Sequence, residues 1–316
     1  MVPAPLIVIC GPTAVGKTAA AVALAAMLNG EIVAADSRTI YRYMDIGTAK
    51  PTPEQRAAVP HHLLDIADPD EVVTLAVYRR LAQEAIQGIR ARGRVPLLVG
   101  GTGLYIRAVV DDFLIPPVPP DPALRRALEE AEARAPGTLH ARLAAVDPIA
   151  AGRIHPRNIR RLIRALEVHA RTGQPISALQ RRAETPSAAL QIGLTMTREA
   201  LYRAIDARVD AQIAAGLVDE VRGLLARGYG PELPAMQGLG YKEIVAYLLG
   251  RVSLDEAVRV LKRNTRRFAK RQWTWFRADP RVRWLAVDGM DAAAVARAAA
   301  AVLSSGLNCN SPPRRD

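Results

Sequence analysis

Residues 11–18 are Gly11-Pro12-Thr13-Ala14-Val15-Gly16-Lys17-Thr18, and this octapeptide fits the phosphate-loop pattern G-x-x-x-x-G-K-[ST]. The apolar run Leu6–Cys10 precedes it and the alanine-rich segment Thr18–Leu28 follows it, so a strand and a helix flank the loop as the pattern requires. In that setting backbone N–H groups bind phosphate oxygens, Lys17 adds a positive charge and the Thr18 hydroxyl can bind Mg²⁺. The sequence therefore predicts a phosphate site at Gly11–Thr18.

The rest of the chain alternates between the periods of strands and helices. We expect strands at Glu31–Ala35, Val95–Val99 and Leu190–Thr195, with a helix at Ala76–Arg92 after the second strand. Three further helices are expected near 198–215, 218–227 and 254–277. This alternation is typical of a parallel sheet with crossover helices, so the predicted fold class is an α/β, P-loop-type sheet with helices on both faces.

A proline-rich linker, residues 116–120, interrupts the α/β pattern. Residues 121–182 then have helical periodicity throughout, with helices expected at Asp121–Ala135, Leu139–Ala145 and Ile159–Arg171. We therefore predict a catalytic core made of residues 1–115 and 187–303, an all-helical insertion at 116–186, and a disordered tail at 304–316.

Composition excludes several classes of protein. Half of the 316 residues are hydrophobic, which is enough for a globular core and excludes a disordered or fibrous chain. The two cysteines, Cys10 and Cys309, provide neither a disulfide framework nor a zinc cluster, so a reduced, cytoplasmic setting is expected. No apolar run is long enough to span a membrane, and nothing in the sequence requires more than a monomer.

Positive charge is concentrated in two segments of the chain. The formal net charge is +12. Arg153–Arg182 contains eight arginines and a single acid, Glu167, and Arg259–Arg277 contains eight basic residues and no acid. Such local charge indicates a surface for a polyanion such as RNA, with two solvated helix faces as the alternative.

The phosphate loop by itself does not define a reaction. The Asp-Glu strand end of motor proteins and the Asn-Lys-x-Asp base reader of GTPases are both missing from the sequence, which leaves a kinase or another group transferase. Asp36 follows the second strand and should lie beside the phosphate loop, where a carboxylate can accept a proton or bind a Mg²⁺ water. The alternative is that Asp36, with Ser37, only caps the next turn.

Seven further segments resemble the tRNA dimethylallyltransferase family, in colinear order from about Leu6 to Trp284. They are Asp36–Tyr41, Met44–Pro51, Pro60–Asp65, Gly100–Tyr105, Arg160–Glu167, Gly238–Glu243 and Thr265–Gln272. The chain departs from the family at Ala204, where arginine is frequent, and at Thr39, where many members have glutamine. It also lacks the zinc-finger tail of eukaryotic members.

The resemblance implies transfer of a dimethylallyl group from dimethylallyl diphosphate to N6 of the adenosine that follows a tRNA anticodon, with Mg²⁺ as cofactor. It implies that Gly11–Thr18 holds the diphosphate and that Thr18 binds Mg²⁺. Asp36 would be the base, and Lys17, Thr18 and Arg208 would complete the catalytic set. The residues implied to contact the anticodon stem-loop are Asp36, Ser37, Arg38, Thr39, Thr102, Arg125, Arg160, Arg161, Leu162, Ile163, Arg164, Gln237, Gly238, Leu239, Gly240, Tyr241 and Lys242.

Three other functions remain open from the residues: a small-molecule P-loop kinase with ATP as nucleotide, a non-catalytic RNA-binding protein, and a prenyl transferase acting on adenine nucleotides. The local basic charge favours tRNA over a small acceptor. His61 and His62 are adjacent without a third ligand nearby, which does not favour a metal site. We expect Trp273, Trp275 and Phe276 to pack in the core or at its rim rather than to stack on bases.

Overall fold

The computed structural model describes residues 4–112, 116, 118–179 and 189–307. These residues form two compact units. The first, the core unit, is drawn from Met1–Val109 and Ser187–Asp316, and the second, the helical unit, from Val110–Pro186. Residues 180–188 and 308–316, which include most of the predicted tail, lie outside the described residues.

One parallel sheet organises the core unit, as the sequence predicts. Its strands are β1 (Leu6–Cys10), β2 (Gly30–Ala34), β3 (His61–His62), β4 (Val95–Val99), β5 (Ala189–Thr195) and β6 (Val282–Ala286). They lie in the order β3-β2-β4-β1-β5-β6, and every neighbouring pair is parallel. Strands β3 and β6 were not predicted, because two residues and a half-exposed run give no clear apolar signal.

The helices outside the insertion are α1 (Lys17–Leu28), α2 (Pro53–Ala58), α3 (Leu75–Ala91), α4 (Gly103–Val110), α10 (Arg198–Ala214), α11 (Leu217–Ala226), α12 (Tyr241–Leu248), α13 (Leu254–Arg277) and α14 (Ala292–Leu307). Ser253 is the N-cap residue of helix α13, and its hydroxyl accepts a hydrogen bond from Glu256 N–H. Helix α14 includes Ser304–Leu307, so these four residues are helical and not part of a disordered tail. The alanine-rich helical run simply continues past the boundary set from the sequence.

Two apolar clusters stabilise the core unit. Alternate strand residues such as Ile7, Ile9 and Ile32 pack with α1 and α14 on one sheet face, as the two-residue repeat of a strand requires. A second cluster joins helices α10–α13 to the loop after β2 and includes Met44, Tyr241 and Leu261. This second cluster fixes the loop after β2 against α11 and α12, beside the carboxyl edge of the sheet.

The helical unit contains α5 (Pro122–Arg134), α6 (Thr138–Val146), α7 (Pro148–Arg153), α8 (Ile159–Thr172) and α9 (Ile176–Leu179). Among its described residues there is no strand. Its core contains Leu139, Leu143 and Leu162, all fully buried. In the described part of the chain, no helix has both the length and the apolar character needed to cross a membrane.

Candidate functional site

The candidate site is a cavity of about 400 Å³ at the carboxyl edge of the sheet. Strand order creates it, because β2, β4 and β1 are neighbours and the loops that follow them therefore meet. Thr18, Asp36 and Thr102 line it from those three loops, and Arg208 lines it from α10. The remaining polar lining comes mainly from residues 37–39, 237–242 and α13.

The phosphate loop leads directly into helix α1. Gly16 is the N-cap residue, with a φ of 89° in the left-handed region that glycine tolerates, and no side chain caps the helix. The first N–H groups of α1 therefore remain available to an anion. Thr13, Lys17 and Thr18 line the cavity, whereas Val15 is buried and packs in the core.

Lys17 and Arg208 bring positive charge into the cavity. The Lys17 ammonium donates to Gly11 O at 3.1 Å and Pro12 O at 2.7 Å. Desolvation lowers the pKa of Lys17 from 10.5 to about 8, against the attraction of Asp36 and with the repulsion of Arg208. Desolvation likewise lowers the pKa of Arg208, while Asp36 raises it. Neither cation forms an ion pair with an acid among the described residues, so the cavity is suited to a multiply charged anion.

Asp36 is held in place by its own loop and by the loop after β4. Its Oδ1 atom accepts from Arg38 N–H at 2.9 Å, and the next residue, Ser37, donates its N–H to Thr102 Oγ1 at 3.0 Å. Oδ2 accepts no hydrogen bond from any residue that the structure describes and is available to a substrate. The predicted turn cap at Asp36 therefore exists and leaves one carboxylate oxygen for chemistry.

Gln272 of α13 joins two of the loops around the cavity. Its Oε1 accepts from Thr13 N–H at 2.8 Å, and its Nε2 donates to Gly101 O at 2.9 Å. The side chain is 6% exposed. The basic helix therefore directly supports the phosphate loop, which the sequence did not predict.

A hydrogen-bond network centred on Glu220 holds the wall formed by the loop after β2. Glu220 of α11 accepts from the backbone N–H groups of Asp45, Ile46 and Gly47 at 2.7–3.0 Å. It also accepts from the Tyr241 hydroxyl at 2.7 Å, and burial raises the pKa of that hydroxyl. Tyr241, implied by the resemblance to contact tRNA, thus has its hydroxyl committed to a protein carboxylate.

The cavity is lined by ten of the implied tRNA contacts: Asp36, Ser37, Arg38, Thr39, Thr102, Gln237, Gly238, Leu239, Tyr241 and Lys242. Gly240 is not among its lining residues; it precedes α12. The sequence missed Gln212, Phe268, Arg271 and Gln272 as lining residues. The spacing of Leu261, Thr265, Phe268 and Gln272 along α13, which matches one face of a helix, was the available signal.

The implied contacts in the helical unit need correction. Leu162 and Ile163 are buried in its core, so their side chains do not form an RNA surface. Arg125 donates to both oxygens of buried Glu167, at 2.7 and 2.9 Å, and Arg164 donates to the same carboxylate at 2.7 Å. Arg160 and Arg161 are exposed and remain the candidates for phosphate contacts in this segment.

Burial raises the pKa of Glu167, but hydrogen bonds from Arg125, the Asp121 N–H and Arg164 outweigh it and bring the value from 4.5 to about 2. Glu167 is therefore a structural anion of the helical unit. The basic charge counted in this segment is partly neutralised inside the protein, which sequence counting did not show.

A Mg²⁺ site has to use few protein ligands here. Among the described residues, no three His, Cys, Asp or Glu side chains cluster as a metal site. His61 and His62 therefore belong to no such cluster there. Thr18 and Asp36 both line the cavity and supply a hydroxyl and a carboxylate. Because Mg²⁺ usually binds one or two protein oxygens together with substrate phosphates and waters, this donor set fits it.

Comparison with known proteins agrees with this geometry. The family model described as IPP transferase matches residues 39–279. The chain is 57% identical over 290 residues to the tRNA dimethylallyltransferase of Desulforudis audaxviator, covering 91% of this chain and 93% of that one. It is 52% identical over 296 residues to the tRNA dimethylallyltransferase of Pelotomaculum thermopropionicum, covering 93% and 94% of the two chains.

Solved structures give the same result. The tRNA isopentenylpyrophosphate transferase of Bacillus halodurans is 44% identical, with a TM-score of 0.70 over 96% of this chain and 98% of that one. A eukaryotic dimethylallyltransferase acting on tRNA is 28% identical, with a TM-score of 0.82 over 99% and 81% of the two chains. The chain belongs to the IPP transferase family, the family of the tRNA dimethylallyltransferases.

Proposed function

We propose that this enzyme transfers a dimethylallyl group from dimethylallyl diphosphate to N6 of the adenosine next to the 3′ side of the anticodon, position 37 of tRNA. The products are N6-dimethylallyladenosine and diphosphate. The observation that supports this most directly is the pairing, in one cavity, of two unneutralised cations, Lys17 and Arg208, with the carboxylate of Asp36. The first two suit a leaving diphosphate, and the third suits an amine that must lose a proton.

The donor's diphosphate would bind the N–H groups at the start of α1 together with Lys17 and Arg208. An exocyclic adenine amine is a weak nucleophile because its lone pair is delocalised into the ring. Stabilisation of the departing diphosphate therefore has to supply much of the rate enhancement. As the N6–C1 bond forms, the C1–O bond breaks and its electron pair leaves with the diphosphate.

Asp36 Oδ2 would accept the proton that N6 loses, while Oδ1 remains bonded to Arg38 N–H. Thr18 would hold Mg²⁺ through its hydroxyl, and the cation would supply charge neutralisation to the leaving diphosphate. The adenosine must leave the stack of the anticodon loop to reach this cavity. We infer a cytoplasmic location because tRNA is the proposed acceptor.

A direct assay tests the proposal. Purified protein is incubated with Mg²⁺, labelled dimethylallyl diphosphate and unmodified tRNA, and the tRNA is then digested to nucleosides. We expect label on one adenosine per tRNA. A parallel incubation replaces the donor with ATP and adds adenine nucleotides as small acceptors.

Phosphoryl transfer from ATP, without label on tRNA, would replace the proposal with the kinase alternative, to which the relatives give no support. Label on adenine nucleotides but not on tRNA would retain the reaction and change the acceptor. RNA binding without transfer from either donor would support the remaining alternative, a non-catalytic RNA-binding protein.

A further inference from the structure

Two tryptophans near the end of α13 are exposed to a degree the sequence did not predict. Phe276 is buried at 3% exposure, as expected for core packing, but Trp273 is 37% and Trp275 is 38% exposed. Large aromatic side chains on a protein surface are frequent at recognition sites, since exposure of an apolar ring is unfavourable without a partner.

Trp275 lies at the rim of the cavity. Phe268, Arg271 and Gln272 of α13 line the cavity, and Trp275 follows one helical turn later on the same side. The indole also packs on the loop after β4: a Cβ atom on Gly103 would come within 2.2 Å of both Trp275 Cδ1 and Nε1. Gly103 follows the lining residue Thr102 and precedes Leu104, which is 47% exposed. Two exposed apolar side chains, Trp275 and Leu104, therefore border Gly103, which is next to a residue that lines the cavity.

Trp273 has a different environment. The guanidinium carbon of Arg277 lies 4.1 Å from the centroid of its ring, so one face of that indole is already covered by a cation. Trp275 has no such cation over its ring among the described residues. The two tryptophans therefore differ in whether a ring face is already covered by a cation, although they share a helix and nearly the same exposure.

The charge along α13 shows what kind of partner fits beside Trp275. Arg259, Lys262 and Arg266 are ion-paired to Glu256, Asp210 and Asp206, in that order. No ion pair with an acidic residue in the described part of the chain is formed by the cations Arg263, Arg267, Lys270, Arg271 and Arg277. Of the unpaired cations, Arg267, Lys270, Arg271 and Arg277 lie in the half of the helix that carries Trp275, so most of the positive charge there is uncompensated and complements a phosphate backbone.

We propose that Trp275, with Leu104 beside it, is a stacking platform for an unpaired RNA base adjacent to the adenosine that enters the cavity. The inference rests on the proposed function and assigns a contact that it does not include. Removal of the target adenosine from the loop leaves its neighbour without a stacking partner on one side, and an exposed indole at the rim supplies one. The unpaired cations of α13 hold the backbone of the same strand.

The test measures the dissociation constant of an anticodon stem-loop RNA in the absence of donor, so it does not depend on turnover. Stacking on an aromatic side chain contributes about tenfold or more per base. We expect W275L, which preserves apolar packing on Gly103, to weaken binding about tenfold. W275F, which preserves an aromatic face, should restore most of the affinity. W273L is the matched control and should change the dissociation constant less than about twofold.

A series of RNAs with one abasic nucleotide at each unpaired position of the loop completes a double-mutant cycle. At one position beside the target adenosine, the abasic RNA should bind wild-type protein about tenfold more weakly, and W275L should cause no further loss. If the losses from W275L and from every abasic position simply add, or if W275F is as defective as W275L, then Trp275 only packs on the loop and the proposal is wrong.

Failure of the proposed function gives a different result. Wild-type protein that binds the stem-loop but transfers no label to it contradicts the proposed reaction, while the binding cycle still decides the platform. Conversely, normal label transfer with an additive cycle leaves the reaction intact and removes the platform.

Discussion

Donor binding should depend on pH through Lys17. Desolvation lowers its pKa from 10.5 to about 8, so the charged form is lost as the pH rises through about 8 rather than near 10. If the diphosphate binds only the protonated form, the competent fraction falls from about 0.9 at pH 7 to about 0.1 at pH 9. The apparent dissociation constant of dimethylallyl diphosphate should therefore rise about tenfold over this range.

The measurement is isothermal titration calorimetry of the donor without RNA, which prevents turnover. The last phosphate ionisation of the donor has a pKa of about 6. The donor's charge therefore changes by only about a tenth of a unit above pH 7. Burial raises the pKa of nearby Cys10 to about 12, so that thiol does not titrate here. Lys17→Arg keeps the charge at every pH tested and should give a flat profile. A tenfold change that persists in K17R, or a flat wild-type profile, would refute this reasoning.

Three other expectations follow from the site and the helical unit. Asp36→Asn keeps an acceptor for Arg38 N–H, so the RNA dissociation constant should stay constant while kcat falls about 10²–10⁴-fold; a kcat within a factor of three of wild type would exclude Asp36 as the base. Tyr241→Phe removes the hydroxyl that donates to Glu220, so urea unfolding should show a loss of about 1 kcal/mol with RNA affinity within twofold, whereas a large affinity loss would indicate a direct RNA contact. Glu167→Gln should lower the free energy of unfolding by about 2 kcal/mol at pH 7. Because its folded pKa of about 2 lies below the ordinary 4.5, that contribution is present above about pH 4.5 and lost as the pH falls towards 2, so wild type and variant should converge in acid.

The sheet and the position of the loop Gly11–Thr18 at its carboxyl edge were predictable because their signals are local. Strands β1, β2 and β4 are short apolar runs buried on both faces, and such runs are visible without knowledge of their partners. The octapeptide Gly11–Thr18 carries both the loop conformation and its chemistry. Asp36 was placed correctly because the end of a parallel strand fixes which edge of the sheet the next residue reaches.

Elements that depend on tertiary contacts were not predictable in the same way. Strand β6 has an alternating, half-exposed sequence, and it pairs with β5, which lies about ninety residues earlier in the chain. Helix α12 spans eight residues and begins at the glycine-rich segment that resemblance marked as an RNA contact. There the Tyr241 hydroxyl donates a hydrogen bond to Glu220, 21 residues away, and no sequence periodicity predicts such a contact.

Charge shows most clearly what a sequence omits. The resemblance implied that Arg125 and Arg164 contact RNA. In the structure both donate hydrogen bonds to Glu167, which is 42 residues from the first and three from the second. Lys17 and Arg208 are 191 positions apart and receive no such partner among the described residues, although together they contribute only two of the 43 basic side chains. A buried acid can neutralise an arginine inside the fold, whereas a cation left unpaired in a cavity retains its desolvation cost until an anion binds. We therefore place the proposed diphosphate site where the protein leaves that cost uncompensated, rather than where arginines are most numerous.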